Sequence, residues 1–370
     1  MLYILAEPNE KANQLQQLKG VIIRRHLYYI PLLKGRLGAL GYNKAVKNLN
    51  GWLGRILPIR MLNDFEGRVK PSLVLVATTG FNRVYLAKKL ATALQLPLLP
   101  YFLDNWMMNA KGSYGGLNKQ KMIRQVLAEA NGWMVISENL KLQLEEQYRL
   151  KAPAFLVIHS PAKPFPQQLQ NVKKTSGDFV IRYAGSLWDM HFDALLLVAK
   201  VLQKLRNEGM GCSLIIHTPV GHWQHRKNIL EPLGVIYGGY VQDNHELLSY
   251  FQQSDLLLVT AAFHPGQKII SASSLQTKVT EYMGSGVPIL SVGPDYGVCN
   301  LFFKQHQCAF VINHPSEENA VLQVRHILQA ANERATLAGK AFQLAATTFS
   351  QAFVQQKMEE FLLQTIGKEK

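Results

Sequence analysis

The chain has 370 residues, of which 48% are hydrophobic, and it carries a formal net charge of +15 at pH 7. This length favours two domains of about 150 to 200 residues over a single one. No apolar run approaches the roughly 18 residues that cross a bilayer, and Cys212, Cys299 and Cys308 lack the spacing of zinc ligands or of paired thiols. The first residues have neither the basic nor the apolar region of a signal peptide, so we expect a cytoplasmic protein with buried thiols.

The positive charge lies almost entirely in the first half of the chain. Residues 1–166 contain 23 Lys and Arg against 9 Asp and Glu, and residues 19–70 contain 11 against two. Within 19–70 the basic residues are mixed with Tyr, Trp, Ile and Leu, which suits a surface that rests on anionic lipid headgroups. A solvated pair of amphipathic helices would carry the same pattern. No nucleic-acid recognition motif accompanies the charge, so no nucleic-acid partner is expected.

Strands and helices are predicted to alternate along the first half. Residues 2–5 predict a strand, and residues 10–62 predict helices broken at glycines and prolines. Apolar runs further on predict buried strands at 73–77, 98–103, 132–136 and 155–158. The segments between them predict helices at 82–94, 119–130 and 138–148, with Ser137 as the N-cap of the last one. This alternation is typical of a parallel sheet covered by helices.

The second half repeats the alternation after a proline-containing stretch at 159–178, which predicts a linker between domains at 1–165 and 175–348. Strands are predicted at 179–184, 213–217, 235–241, 256–260, 287–290 and 309–312. Helices are predicted at 191–208, within 223–232, from the capping box at Asp243 to 254, at 317–346 and at 351–366. We expect residues 350–370 to cross back to the first domain. Two doubly wound sheets would present the carboxyl ends of their strands to a common cleft.

The stretch 271–300 carries the most specific pattern. Apolar side chains recur at helical spacing from Leu275 to Met283, and Gly284 and Gly286 end the helix before an apolar strand. A helix ending in Glu-Tyr-Met, followed by Gly-x-Gly-x-Pro and a strand, resembles the donor-sugar end of GT-B glycosyltransferases. The similarity is greatest to family 4 and related bacterial polysaccharide and glycolipid transferases. It implies an α/β fold in which two Rossmann-like doubly wound domains face a cleft.

The resemblance places a nucleotide-sugar on the second domain. Glu281 matches the second carboxylate of the family's E-x7-E motif, which accepts hydrogen bonds from ribose hydroxyls, and the alternative is a surface ion pair with Lys278. The position of the first carboxylate is occupied by Ser273. Family members usually hold the diphosphate with an Arg and a Lys that are absent from residues 185–192, so His191 and Lys278 are the candidates to replace them.

Further candidates for the donor site lie where predicted strands end or helices begin. They are Gly185, Ser186, Tyr240, Val241, Ser274 and Thr277. The glycine-serine turn can offer backbone N–H groups to a phosphate, and the Tyr-Val pair follows a strand that in relatives lies beside the nucleotide base. The two hydroxyls can bind phosphate or sugar. Each position also has a purely structural alternative as a tight turn or a helix cap.

Asp104 is the candidate catalytic residue. It follows a predicted strand in the run Leu-Asp-Asn-Trp, where family members often carry an Asp-Asp-Trp or His-Asp pair, and it is placed to act as a general base on an acceptor hydroxyl. A turn-forming aspartate is the alternative, and His159 is a second candidate nearer the linker. No nucleophile elbow, Walker loop or metal-ligand cluster occurs in the sequence, so no metal or other cofactor is expected.

Together these features predict a cytoplasmic glycosyltransferase, peripheral at the inner face of the membrane. It would move a sugar from a nucleotide-sugar to a lipid-linked or polysaccharide acceptor. One alternative is a nucleotide-sugar 2-epimerase of the same fold, which needs no acceptor. Another is a non-catalytic relative that acts as a partner or scaffold, a hypothesis favoured by the serine at 273 and the missing cations.

Overall fold

The computed structural model describes residues 2–6, 21–25, 45–46, 49, 52–53, 71–78, 80–105, 112–114, 117–162 and 177–367. Most of the basic segment 19–70 and of the predicted linker lie outside these residues, so the membrane-facing surface and the linker stay predictions. The chain divides into two compact units. The first comprises Met1–Val135, Leu144–Leu156 and Phe361–Lys370, and the second comprises Ile136–Gln143 and Val157–Glu360.

The first unit contains parallel strands that alternate with helices, and one short antiparallel pair. The strands are β1 (Leu2–Ala6), β2 (Val21–Arg25), β3 (Val74–Ala77), β4 (Leu98–Phe102), β5 (Ser113–Tyr114), β6 (Leu117–Asn118), β7 (Trp133–Val135) and β8 (Phe155–Val157). The helices are α1 (Phe81–Leu94), α2 (Lys119–Glu129) and α3 (Glu138–Tyr148), the last of which continues into the second unit. Four strands form a sheet in the order β3-β4-β7-β8, β1 pairs in parallel with β2, and β5 and β6 form the antiparallel pair.

The strand β2 corrects the prediction of helices throughout residues 10–62. It contains Val21, Ile22 and Ile23 in succession, and β-branched side chains favour an extended backbone over a helix. Described residues at 45–46, 49 and 52–53 are helical, as predicted. In the core, Val76 on β3 packs with Val84 and other apolar residues of α1.

The second unit carries one large sheet between two layers of helices. Its strands are β9 (Phe179–Ala184), β10 (Cys212–His217), β11 (Val235–Tyr237), β12 (Leu256–Thr260), β13 (Ile289–Val292) and β14 (Phe310–Ile312). Its helices are α4 (Asp189–Asn207), α5 (Val220–Leu230), α6 (Asn244–Gln252), α7 (Lys268–Ser271), α8 (Lys278–Gly284), α9 (Val298–His306), α10 (Glu317–Gln329), α11 (Ala331–Ala346) and α12 (Gln351–Gly367), the last of which ends in the first unit. No helix in the described ranges is long and apolar enough to cross a bilayer.

The sheet of the second unit is a doubly wound parallel sheet. Its six strands run in the order β11-β10-β9-β12-β13-β14, and every neighbouring pair is parallel. The chain therefore builds outward from β9 to β11 and returns to the other side of β9 with β12. Ligands of such sheets bind beyond the carboxyl ends of the strands where this order reverses. That point lies between β9 and β12.

Three details of this unit differ from the prediction. The single helix expected at 317–346 is divided at Ala330, the strand expected at 235–241 ends at Tyr237, and neither α7 nor α9 was predicted. At the division, the buried guanidinium of Arg334 donates hydrogen bonds to the carbonyls of Ile327 and Leu328 in the last turn of α10. Because the side chain satisfies those carbonyls, the helix can end there despite its continuous apolar pattern.

Candidate functional site

The turn after β9 lies at the point where the strand order reverses. Gly185 has φ 147°, a conformation that side chains rarely adopt, and its N–H donates a 3.0 Å hydrogen bond to the carbonyl of His217 at the end of β10. That N–H is therefore committed to the protein. The prediction that the Gly185-Ser186 turn offers N–H groups to a phosphate therefore rests on Ser186, and the turn leaves space at Gly185 for a neighbouring side chain.

Two buried tyrosines fix the position of this turn. The hydroxyl of Tyr183 donates to the carbonyl of Ser186 at 2.7 Å, and the N–H of Ala184 donates to the hydroxyl of Tyr282 at 2.9 Å. Burial raises the pKa of both phenols. Because Tyr282 belongs to α8, the Glu-Tyr-Met motif is joined directly to the end of β9.

Lys278 brings a buried amine to the turn. Its Nζ lies 3.8 Å from the ring centroid of Tyr183, and a Cβ on Gly185 would lie only 2.7 Å from it. The residue as a whole is half-buried, but Nζ itself is buried and has no hydrogen-bond partner among the described residues. Burial lowers the pKa of Lys278 to about 7, and Cys299 and Glu281 raise it by less. The alternative considered for Glu281, an ion pair with Lys278, is not formed through a hydrogen bond to Nζ, so the amine keeps its hydrogen-bonding capacity for a ligand.

His191 is not the replacement cation. It is buried on α4, and its Nδ1 lies 2.9 Å from the carbonyl oxygen of Thr260, so this nitrogen is assigned as the donor. Burial, and then the charge of Lys278, lowers the pKa of His191 to about 3. The ring is therefore neutral at ordinary pH and holds α4 against the end of β12. Of the two cations proposed from the sequence, Lys278 is the one in a position to act.

The two positions of the E-x7-E motif differ in their exposure. Glu281 is exposed on α8, one turn after Lys278, where a carboxylate can meet a ligand. Ser273 is fully buried, and its Oγ donates a 2.8 Å hydrogen bond to the carbonyl of Ile269. Ser273 therefore closes its own helical turn and cannot replace a carboxylate that faces the donor.

The loop before α7 is held by one carboxylate, which sequence reasoning missed. Asp193 on α4 accepts hydrogen bonds from the backbone N–H groups of Phe263 at 3.2 Å and His264 at 2.8 Å. It also accepts one from Ala194 at 2.6 Å. The only sequence signal is an aspartate near the start of a helix, which is too common to indicate a contact about seventy residues away.

The remaining candidates of the second unit lie at the same edge of the sheet. Tyr240 and Val241 are in the loop between β11 and α6, and Tyr240 is exposed. A 3.1 Å hydrogen bond from the Thr218 N–H to the Gly239 carbonyl joins this loop to the end of β10. Ser274 and Thr277 precede α8, and the side chain of Thr277 makes no capping hydrogen bond. The helix-cap alternative for Thr277 is therefore not supported.

Buried polar atoms without partners gather at this edge. Among the described residues they include Nζ of Lys278, Oε1 of Gln276 and Oγ1 of Thr218. Gln276 is tied to the end of β12, since its Nε2 donates to the Thr260 carbonyl at 2.6 Å. Buried polar atoms are nearly always paired in folded proteins, so these unpaired atoms make this edge a candidate site for a polar ligand.

A cavity of about 590 Å³ lies at the opposite end of the sheet, beside the start of β9. Its charged lining residues are Glu208 and Arg325, which form an ion pair with each other. Their charges are thus already matched, and no catalytic candidate lines the cavity. We therefore place the candidate site at the carboxyl edge.

Asp104 belongs to the first unit. It lies two residues beyond the end of β4, at the predicted carboxyl-end position, and is half-buried. The alternative candidate His159 packs between the rings of Phe302 and Phe349, with centroid distances of 6.2 and 5.5 Å. Burial, followed by the charges of His306 and Lys357, lowers the pKa of His159 to about 4. His159 is therefore a packing residue, and Asp104 remains the candidate base.

The chain matches no family model and no curated protein sequence. Solved structures do match it over almost its whole length. A crystal structure of Anabaena HepE with UDP is 13% identical, with a TM-score of 0.65, covering 98% of this chain and 100% of that one. A glycosyltransferase from Rickettsia africae is 12% identical, with a TM-score of 0.65, covering 98% and 90%.

A third similar structure is sucrose-phosphate synthase from Thermosynechococcus elongatus, which is 10% identical, with a TM-score of 0.65, covering 94% of this chain and 84% of that one. These are GT-B glycosyltransferases. The chain therefore has the GT-B fold, which confirms the α/β prediction of two Rossmann-like domains.

Proposed function

We propose that this protein is a glycosyltransferase that takes a sugar from a nucleotide-sugar donor. The observation that carries the proposal is the buried, unpartnered Nζ of Lys278 beside the Gly185 turn, where the strand order of a nucleotide-binding sheet reverses. Similar structures of Anabaena HepE contain UDP or UDP-glucose, which supports a uridine nucleotide as one donor to test.

The geometry suggests a role for each residue of the donor site. The ammonium of Lys278 would neutralise the diphosphate and stabilise the negative charge that develops on it as the sugar leaves. Glu281, exposed one turn further along α8, would accept hydrogen bonds from the ribose hydroxyls. The loop with Tyr240 and Val241 would contact the base, and Ser186, Ser274 and Thr277 would bind phosphate or sugar oxygens. The proposal needs no resident metal or cofactor.

The acceptor half of the proposal rests on the first unit. Asp104 would remove the proton from the attacking hydroxyl of a lipid-linked or polysaccharide acceptor. The basic residues at 19–70 would hold the enzyme against the anionic inner face of the membrane. If liposome binding by the purified protein depends on neither anionic lipid nor salt, the membrane part of this proposal is wrong.

Donor binding is tested first, by the thermal unfolding of the purified protein with UDP, GDP, ADP and dTDP sugars. At least one should raise the unfolding temperature, and no response to any of them would contradict the proposal. Glu281→Ala should abolish that response. Glu318→Ala, an exposed carboxylate on α10, is the matched control and should leave it unchanged.

Assays of donor turnover then distinguish a glycosyltransferase from the two alternatives, an epimerase and a non-catalytic scaffold. A transferase consumes the donor only with an acceptor, an epimerase converts the sugar alone, and a scaffold does neither. The burial of Ser273 in place of the first carboxylate is the observation that favours the scaffold. With an acceptor identified, Asp104→Asn should lower turnover by about 100-fold or more while donor binding is retained. Unchanged turnover would leave Asp104 a structural residue.

A further inference from the structure

The surroundings of Lys278 are unusual for a lysine. Its Nζ faces the ring of Tyr183 on β9, lies beside the Gly185 turn and is shielded from solvent. No carbonyl or carboxylate among the described residues accepts a hydrogen bond from it. An ammonium group normally makes three hydrogen bonds, and here it has only the face of the Tyr183 ring, so in the unliganded protein the charged form is less favourable than it is in water.

The other titratable groups around Lys278 keep one charge state near neutral pH. His191 on α4 has its pKa lowered to about 3, and Cys299 on α9 has its pKa raised to about 11. Burial also raises the pKa of the phenols of Tyr183 and Tyr282. Glu281 is the acidic group that acts on the lysine. The helix α11 packs on α8 but adds no charged group to these surroundings within the described residues.

A nucleotide-sugar changes this balance. Its diphosphate carries two negative charges and, unlike a terminal phosphate, has no proton to lose near neutral pH. When it reaches the turn, it supplies both the hydrogen-bond acceptors and the opposite charge that the amine lacks, and an opposite charge at this distance favours the ammonium form.

We infer that the donor is bound together with a proton, which Lys278 takes up as the diphosphate arrives beside Gly185. The inference rests on the proposed function, since it concerns the same site. It makes donor affinity a function of pH, and it means that release of a nucleotide product above neutral pH is aided by loss of that proton. A diphosphate site built from an arginine would not behave in this way, because a guanidinium keeps its proton.

The size of the effect follows from the pKa of Lys278, which is about 7 in the unliganded protein. About half of the molecules then hold the neutral amine at pH 7, so donor binding should take up about half a proton. At higher pH the uptake should approach one proton per site. The affinity should fall toward about tenfold per pH unit above pH 8 and level off below about pH 6.

The test is isothermal titration calorimetry of the full chain with UDP-glucose, at about pH 7 and about pH 8.5, in Hepes and in Tris buffers. These buffers differ in ionisation enthalpy, so the difference in observed heat gives the number of protons taken up. UDP-glucose is used because the terminal phosphate of UDP itself titrates near pH 6. Uptake that grows with pH supports the inference, and binding with no proton uptake overturns it. No binding at either pH would instead contradict the use of this donor.

Two variants identify the proton acceptor. Lys278→Arg should bind UDP-glucose with no proton uptake and no loss of affinity from pH 7 to about pH 9, because arginine stays charged. His264→Gln removes the exposed histidine on the loop after β12 and should leave the uptake unchanged. If His264→Gln abolishes the uptake, the proton goes to the histidine and the inference is wrong.

If the arginine of Lys278→Arg does not fit the site, the titration of Lys278 can be measured directly by NMR. In protein with ¹³C-labelled lysine, the Cε resonance that is missing from Lys278→Met should titrate near pH 7 without ligand and shift to higher pH with UDP-glucose. A Lys278 resonance that titrates only near pH 10 in both states would overturn the inference.

Discussion

Two buried cations of the second unit differ in whether the protein supplies hydrogen-bond acceptors for them. Arg334 at the break between α10 and α11 is fully buried, and its guanidinium donates to the carbonyls of Ile327 and Leu328. Lys278 at the start of α8 has a buried Nζ that faces the ring of Tyr183 but has no hydrogen-bond partner among the described residues. A cation whose acceptors come from the protein has a structural role, whereas the proposed function assigns the cation that lacks them to a ligand.

The choice of residue fits each role. A guanidinium cannot lose its proton, so Arg334 is tolerated only because fixed carbonyls surround it. A lysine can become neutral when its surroundings favour that form, so Lys278 can stay buried while the site is empty. The contrast predicts that substituting the arginine damages stability, and that substituting the lysine damages ligand binding.

The largest effect on stability is expected for Arg334→Met. Removing the guanidinium leaves two buried carbonyls without donors, which should lower the free energy of unfolding of the second unit by about 3 kcal/mol. Arg325→Met is the control, because Arg325 forms a partly exposed ion pair with Glu208 that should contribute less than about 1 kcal/mol. Chemical denaturation followed by circular dichroism measures both. Equal losses in the two variants would contradict a structural role for Arg334.

Lys278→Met should show the opposite pattern. Losing a charge-assisted hydrogen bond to the diphosphate should weaken binding of the preferred nucleotide-sugar by about 10- to 100-fold. Stability without ligand should be equal to or higher than that of the unmodified protein, because an unpaired buried amine is removed. Calorimetry and thermal unfolding give the two quantities. A variant that is destabilised but binds normally would make Lys278 a structural residue.

Gly185→Ala links the turn to the lysine. The alanine would have to adopt φ 147° and would place its Cβ 2.7 Å from Nζ of Lys278, so Lys278 would have to move. We expect a loss of about 1 to 2 kcal/mol in stability together with weaker donor binding. Gly339→Ala on α11 has no atom within 4 Å of the new Cβ and should be neutral or slightly stabilising. Similar behaviour of the two variants would show that the turn is not strained.

The smallest expected effect is a pH dependence of stability. The folded-state pKa of Lys278 is lowered from 10.5 to about 7, so the unfolded chain binds more protons between these values and stability should rise with pH there. Buried thiols act in the opposite direction at higher pH, so the comparison is made between about pH 7 and about pH 8.5. From the lower to the higher pH, the unfolding temperature of the unmodified protein should rise more than that of Lys278→Met. A constant difference would mean that Lys278 does not titrate in this range.

Much of the fold could be predicted because the second sheet is built from continuous apolar strands. The bounds of β9 and β12 were predicted to the residue, since both are buried runs of Val, Ile, Leu and aromatic residues between polar turns. The strand β2 was missed because its short β-branched run lies within a long basic stretch. The break at Ala330 was missed because it depends on Arg334, whose hydrogen bonds are tertiary.

The candidate residues could be named from the sequence, but their arrangement in space could not be predicted from it. The motif gave Lys278 and Glu281 because their spacing on α8 is local. In the structure, Nζ of Lys278 lies beside Gly185, which is about ninety residues away in sequence. This proximity follows only from the packing of α8 against β9. The neutrality of His191 likewise depends on burial and on the carbonyl of Thr260, and neither can be read from the pattern of residues around it.

Asp193 has a consequence for how the loop after β12 could be redesigned. Its carboxylate accepts hydrogen bonds from the backbone N–H groups of Phe263 and His264, and these bonds hold the loop after β12 at the start of α4. These are contacts to backbone groups, so they do not depend on which side chain stands at the exposed position 264. Position 264 can therefore be varied while Asp193 keeps the loop in place, whereas Ser271 and Ser273 further along the loop are buried and donate hydrogen bonds to backbone carbonyls.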